Sequence, residues 1–262
     1  MIRSRCFLSL AAALVGAAML GAPGAARASY AVQVFDDGVQ QVVPFIVVNN
    51  SLVFTGQTTH FSITNGTGAS NNPGAPLTAN LNLTSNEQIN TTFGGAGGTH
   101  TITIVLSQTG FLAPSASSYV LSSSAGGSMS YVADSNGSAT EMVSSTYQGF
   151  LDNTNTLFGQ PAAGGTPTQT ASASRSSVGT TSLVYSPAAA VNGNVPGGTP
   201  FSMTDVLSFT FTLSAGSGQD TANASTTTTA TLVPEPCSVV LALAGVPALG
   251  IGTWIRRRRQ SI

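Results

Sequence analysis

Leu207-Ser208-Phe209-Thr210-Phe211-Thr212-Leu213 alternates large apolar and small hydroxyl side chains without a break. In an extended strand successive side chains point to opposite faces, so this heptapeptide has one apolar face and one hydroxyl face. Two further stretches repeat the pattern. Leu77, Ala79, Leu81 and Leu83 alternate with Thr78, Asn80, Asn82 and Thr84. His100, Ile102, Ile104 and Leu106 alternate with Thr101, Thr103 and Val105. Each reads as a half-buried strand.

Shorter runs of the same kind lie at 30–35, 42–48, 52–55, 60–64, 119–123, 129–133, 141–150, 182–185 and 226–232. No apolar stripe at helical spacing occurs between residues 29 and 232. Turn signals separate the runs: Asp37-Gly38, Asn65-Gly66, Asn72-Pro73-Gly74, residues 94–98, Gly126-Gly127, Asn136-Gly137 and Pro196-Gly197-Gly198. Residues 159–177 are poor in large apolar groups and read as a long loop or an exposed edge hairpin. Many short strands with Gly- and Asn-rich turns predict an all-β ectodomain over residues 29–232. The expected form is an antiparallel β-sandwich, jelly-roll or Ig-like.

The charge of this body is lopsided. The whole chain carries eight arginines and nine acids, with no lysine. Only Arg175 falls inside the body, against Asp36, Asp37, Glu87, Asp134, Glu141, Asp152, Asp205 and Asp220. Clustered cations are what phosphate binding needs, so a nucleic-acid-binding role is excluded. Neither cysteine, Cys6 or Cys237, lies in the body. It must fold on core packing alone, and about 200 residues suffice for one sizeable core.

Candidate chemistry is sparse. His60 and His100 have no Cys, Asp or Glu at metal-ligand spacing in the sequence and read as satisfied or solvated residues. The acids are scattered, no Gly-x-Ser-x-Gly occurs, and the glycines at 94–98 lack the lysine of a phosphate loop. The expectation is no enzyme and no cofactor. Calcium is the ion the sequence suits best, because Asp134-Ser135-Asn136-Gly137 and Asp152-Asn153-Thr154-Asn155 space oxygen ligands at alternate positions. Asx-turns explain both stretches without an ion. Tyr119, Tyr131, Tyr147 and Tyr185 fall on separate strands, which favours core or edge roles over a sugar-stacking face.

The two ends differ from the body. Residues 1–28 read as a signal peptide: Arg3 and Arg5 precede an apolar run, and Ala26-Arg27-Ala28 is a small-x-small site for signal peptidase. Cleavage is expected between Ala28 and Ser29. At the other end Pro234-Glu235-Pro236 precedes an uncharged stretch, 237–255, and then Arg256, Arg257, Arg258 and Arg259. About 19 residues at ~1.5 Å each span roughly 28 Å, which matches a hydrocarbon core of about 30 Å. Each arginine would cost about 2.5–3.5 kcal/mol at the membrane centre, so the cluster stays in the cytoplasm.

This tail resembles the PEP-CTERM sorting signal of Gram-negative bacterial surface proteins, in tripeptide, single helix, arginine cluster and order. The resemblance covers residues 233–262. It implies processing by exosortase, with Pro234, Glu235 and Pro236 as the recognition motif and Arg256 to Arg259 as the cytoplasmic stop. It further implies a precursor in the inner membrane and a mature product at the cell surface or in the exopolysaccharide matrix. A structural or adhesive ectodomain follows from this. The alternatives are a carbohydrate- or calcium-binding adhesive module and a secreted hydrolase.

Overall fold

The computed structural model describes residues 28–75, 77–84, 88–92, 96–113, 118–131, 141–175, 179–186, 188–193, 199–215 and 220–233. The expected signal peptide up to residue 27, the tail from Pro234, and the Asp134 stretch lie outside them. Among the described residues no helix is long and apolar enough to cross a membrane.

In chain order the strands are β1 (Tyr30–Asp36), β2 (Val39–Gln41), β3 (Phe45–Val48), β4 (Ser51–Gln57), β5 (Phe61–Ser70), β6 (Thr78–Thr84), β7 (Gln88–Thr91) and β8 (Gly98–Phe111). There follow β9 (Tyr119–Tyr131), β10 (Glu141–Asp152), β11 (Gln169–Arg175), β12 (Gly179–Leu183), β13 (Ala189–Gly193), β14 (Phe201–Leu213) and β15 (Thr221–Leu232). One sheet has the order β11-β10-β14-β8-β1-β2. The other has the order β12-β9-β15-β6-β5-β4-β3, with β13 on β9 and β7 between β15 and β5. All described pairings are antiparallel. The two sheets pack face to face over one apolar core.

The alternation read from the sequence is what builds this core. Leu207, Phe209 and Phe211 of β14 are fully buried. So are Ile102, Ile104 and Leu106 of β8 and Ala79, Leu81 and Leu83 of β6. Phe61 and Phe211 meet between the sheets with centroids 5.5 Å apart. Leu77 departs from expectation: it lies one residue before β6 and is 61% exposed.

Two turn readings are corrected, and of the two alternatives for residues 159–177 the sheet edge is the one found. Asn65-Gly66 lies inside β5, with Asn65 at φ 55°. The Phe54 ring lies over Gly66, where a Cβ would come within 2.5 Å of it, so glycine serves packing there and not chain reversal. Gly126-Gly127 lies inside β9, and the carbonyl of Asn223 on β15 occupies the space a side chain at Gly127 would need. Residues 159–177 contain a strand, β11, at the edge of its sheet. Its inward residues are Gln169, Ala171 and Ala173, one polar and two small side chains that do not announce a strand by hydrophobicity.

The outer faces carry hydroxyls. Between β8 and β14, Thr99 meets Thr212 at 3.0 Å, Thr101 meets Thr210 at 2.9 Å and Thr103 meets Ser208 at 2.7 Å. The register continues these rows across β10 and β11, as Thr101-Thr210-Ser144-Ser172 and Thr103-Ser208-Thr146-Thr170. Such cross-strand pairs stabilise a sheet by about 0.2–1 kcal/mol each without any charge.

One carboxyl is sealed between the sheets. Asp205 of β14 is fully buried; Thr228 donates to its Oδ1 at 2.5 Å and Tyr147 at 3.1 Å. The Tyr147 and Thr228 hydroxyls are themselves 2.6 Å apart, so this cluster ties β10 and β14 of one sheet to β15 of the other. Oδ2 of Asp205 has no hydrogen-bond partner. Burial pushes this carboxyl up to about 7, against the two hydroxyl donors, which favour the ionised form. Folding therefore takes up a proton at Asp205. The stability this provides is full below the ordinary carboxylate range and is lost as the pH rises through about 7. Asp205→Asn is expected to be more stable than the parent at pH 8, by roughly 5–10 °C in Tm. The gap should close by pH 4; thermal melts at the two pH values measure it.

Candidate functional site

Asp37 and Gly38 form the two-residue turn between β1 and β2, both with positive φ, 49° and 79°. This is the hairpin geometry that Asp-Gly favours. The turn sets two consecutive carboxylates at the end of β1: Asp36 faces inward and is buried, while Asp37 looks outward.

Two other segments arrive at the same point. Residues 58–61 make a tight turn between β4 and β5, closed by the Thr58 N–H donating to Phe61 O at 2.8 Å and the Phe61 N–H to Thr58 Oγ1 at 3.0 Å. It carries His60 beneath Asp36. The His60 backbone N–H donates to Asp36 Oδ2 at 2.8 Å, and its Nδ1 lies 2.9 Å from Oδ1. On β8, Ile102 pairs with Asp36, so His100 falls just beyond the end of β1. Its Nδ1 lies 2.6 Å from Asp37 Oδ2, while the Thr101 N–H donates to Asp37 Oδ1 at 2.7 Å.

The two imidazoles stack, with ring centroids 3.7 Å apart and planes 20° apart. His60 Nδ1 is also 3.5 Å from Asp37 Oδ2. About a quarter of each imidazole side chain is exposed, 26% for His60 and 23% for His100, against 2% for the Asp36 side chain. Partial burial would raise the Asp37 carboxyl. The His100 hydrogen bond, the Thr101 N–H and the charge of both imidazoles outweigh it and hold Asp37 below the usual carboxylate range.

Both histidines of the chain thus stand in one cluster with two aspartates, not as the separate satisfied or solvated residues expected. The three contributing segments lie 24 and 40 residues apart, beyond any local motif spacing. One hint was present: both histidines open strands and the aspartates close one. In an antiparallel sandwich such ends gather at the same end of the molecule. The cluster occupies the end opposite Ser29 and Val233, because β1 and β15 each run the full length between them.

The other expected sites are dispersed. Asp152 accepts the Thr154 N–H at 2.9 Å and the Thr154 hydroxyl at 2.7 Å, and Asn155 Oδ1 accepts the Gly110 N–H at 2.7 Å. That is the Asx-turn reading of this stretch, with its oxygens already engaged. A cleft of about 340 Å³ beside it is lined by Tyr119, Asp152, Thr154 and Pro161. Tyr119, Tyr147 and Tyr185 are buried, so they form no exposed stacking face. Of the signal-peptidase site, Ala28 is described and exposed. Ala26, the tripeptide Pro234, Glu235 and Pro236, and Arg256 to Arg259 lie outside the described residues.

No family model matches the chain, and no curated protein matches it by sequence. Among solved structures, a family 11 carbohydrate-binding module from Clostridium thermocellum, in complex with a mixed-linked tetrasaccharide, is similar at 13% identity. The alignment covers 74% of this chain and 94% of that one, with a TM-score of 0.23. A carbohydrate-binding module that recognises mannan aligns over 79% of this chain and all of its own, at 11% identity and a TM-score of 0.24. The enzymatically active domain of tailspike protein 4 from bacteriophage CBA120 aligns over 67% of this chain at 13% identity and a TM-score of 0.19. The alignment spans 18% of that tailspike chain. At these scores nothing of those proteins' ligands carries over.

Asp36 holds the turn at 58–61 against β1 through both of its oxygens. Asp36→Ala is expected to lower stability by about 1–3 kcal/mol, since it strips the acceptor from the His60 backbone N–H. Asp36→Asn, which keeps one carbonyl oxygen, should cost less than Asp36→Ala. Urea unfolding of the two variants checks the order.

Proposed function

We propose that this chain is an exported surface or extracellular-matrix protein with a structural or adhesive β-sandwich body. A signal peptide over residues 1–28 directs export. A helix over residues 237–255 holds the precursor in the inner membrane until exosortase acts at Pro234-Glu235-Pro236. The observation that carries the reading is the tail itself, in which the tripeptide, the uncharged stretch and four arginines stand in the order a sorting signal requires.

The body's geometry supports it at both junctions. Ser29, the residue after the expected cleavage point, is already tied to β8: its N–H donates to Thr109 Oγ1 at 2.9 Å, and its carbonyl accepts the Thr109 N–H at 2.9 Å. At the other end the Val233 N–H still bonds Ser118 O at 3.2 Å, so the folded body runs to within one residue of Pro234. Of the two expected sandwich forms, the strand order favours the jelly roll. β6-β15-β9-β12 in one sheet faces β8-β14-β10-β11 in the other, and the chain crosses between sheets as two interleaved Greek keys require. We assign no catalytic role to the body. Among the described residues, Asp205 is sealed in the core and Asp152 is engaged in a turn.

A carbohydrate-binding role is favoured by the hydroxyl rows on the outer face of β8, β14, β10 and β11. They offer donors and acceptors at about 4.8 Å across strands and about 7 Å along them. An uncharged hydroxyl surface contacts a neutral polysaccharide without desolvating a charge.

Mass spectrometry of the mature protein, from the native host and from one lacking exosortase, tests the sorting reading. A C-terminus trimmed of residues 237–262 only when exosortase is present is expected, and Glu235→Ala should leave export intact while blocking the trimming. A mature protein that keeps Cys237 to Ile262 in the native host would return the tail to a plain membrane anchor. For the carbohydrate reading, Thr210→Arg with Ser144→Arg should weaken co-sedimentation with the host's neutral exopolysaccharide by roughly tenfold.

A further inference from the structure

We propose that Asp37, His60 and His100, with Asp36 holding His60 in place, form a binding site for a divalent transition-metal ion of the zinc class, which clamps the two sheets together at the end of the body farthest from its termini. Nothing in the sorting reading requires this site, and it stands without that reading.

The donor set suits the ion. Two imidazoles and a carboxylate are borderline nitrogen and hard oxygen ligands, a three-residue set that zinc accepts with water in the fourth tetrahedral position. The atoms already converge. One ligand atom from each of Asp37, His60 and His100 lies within 4.8 Å of the other two. The carboxylate-to-imidazole separations are 2.6, 2.9 and 3.5 Å. In a tetrahedron with bonds of about 2.0–2.1 Å, neighbouring donors stand about 3.3 Å apart. The 2.6 and 3.5 Å separations of Asp37 Oδ2 from the two imidazoles lie on either side of that spacing.

The supporting shell is also in place. Each carboxylate spends one oxygen on a backbone N–H and turns the other toward the imidazoles. For Asp36 the anchor is the His60 N–H, at 2.8 Å; for Asp37 it is the Thr101 N–H, at 2.7 Å. Anchors of this kind fix the orientation of metal-binding carboxylates. Beneath the site the fold supplies rigid elements: β1 and β8 from one sheet and the start of β5 from the other. An ion held by Asp37, His60 and His100 would therefore link three segments across both sheets. A body with no cysteine has no disulfide to do this.

The test uses the full chain, purified in detergent and stripped with EDTA. Zinc chloride is expected to bind one to one by calorimetry and, at about 100 times its Kd, to raise Tm by roughly 5–10 °C. His100→Gln should weaken zinc binding at least about 100-fold, the larger end of the loss expected when a ligand shell is broken, while leaving the EDTA-treated melt within a degree or two of the parent. Cobalt(II) bound in place of zinc should give the intense visible bands of a tetrahedral site, absent in His100→Gln. Because His100 lies at the rim, this variant decides the matter even where His60→Gln fails to fold. No one-to-one zinc binding would overturn the proposal, leaving a cluster held by protons alone. An undiminished shift in His100→Gln would also overturn it. So would an equal shift with calcium chloride, an ion that seeks oxygen and gains little from imidazole.

Discussion

Two sheets stack only if each turns a continuous apolar face toward the other, and here that face is nearly the whole of the adhesive force. The body has no disulfide to fall back on and one cation against eight acids, so ion pairs contribute little. Strict alternation is therefore enforced along the long central strands. A one-residue slip of β14 would bring Phe209 and Phe211 to the surface and bury Ser208 and Thr210. The same alternation fixes the outer surface. On β8, β14, β10 and β11 most residues turned away from the core are polar, and with charge almost absent the choice falls largely on Ser and Thr. The hydroxyl rows on β8, β14, β10 and β11 are thus the other side of the core and follow from the same pattern.

Apolar contact is non-directional and does not by itself fix how one sheet lies on the other. The cluster of Tyr147, Asp205 and Thr228 does, because its short hydroxyl contacts cross from one sheet to the other. Ser145 of β10 and Tyr185, 2.6 Å apart, tie the segment after β12 to the other sheet. Buried hydrogen bonds of this kind have one good geometry, whereas leucines have several. Keeping Asp205 protonated lets a carboxylic acid act there as a polar but neutral group. Its neutrality ends as the pH rises through about 7, which makes this tie, unlike the apolar core, sensitive to the medium around the protein.

Much of the architecture was legible in the sequence because it depends on period-two patterning, which is local. β6, β8 and β14 were each visible from their own residues. What failed was the reading of glycine. Gly66 and Gly127 resemble turn punctuation, yet both lie within strands, where Phe54 in one case and the Asn223 carbonyl in the other leave no room for a side chain. A close approach from a distant segment leaves no mark on the neighbouring sequence. For β11 the sequence left a long loop and an edge hairpin both open, because an edge strand with alanines inward carries too little hydrophobic contrast to decide between them. The histidine cluster was invisible on similar grounds, since its spacing is set by topology. Only the placement of His60 and His100 at strand starts foreshadowed that they would meet.

The path of β15 connects these features. It pairs with β9 along its whole length, from Thr221 to Leu232, and with β6 on its other side over the C-terminal half. It begins beside β7, whose neighbour Thr92 donates its N–H to the His60 carbonyl at 2.8 Å. It ends at the residue before Val233, where the tail departs. At about 3.3 Å per residue, roughly 40 Å of strand separates the two points. Any pull exerted through the tail therefore enters the middle of a sheet, parallel to the strand. Two rows of backbone hydrogen bonds then resist it together and do not open one by one. The N-terminal strand enters at the same end, with Tyr30 opposite Gln108. Ser29 and Val233 thus belong to one end of the sandwich, and the aspartate–histidine cluster to the other.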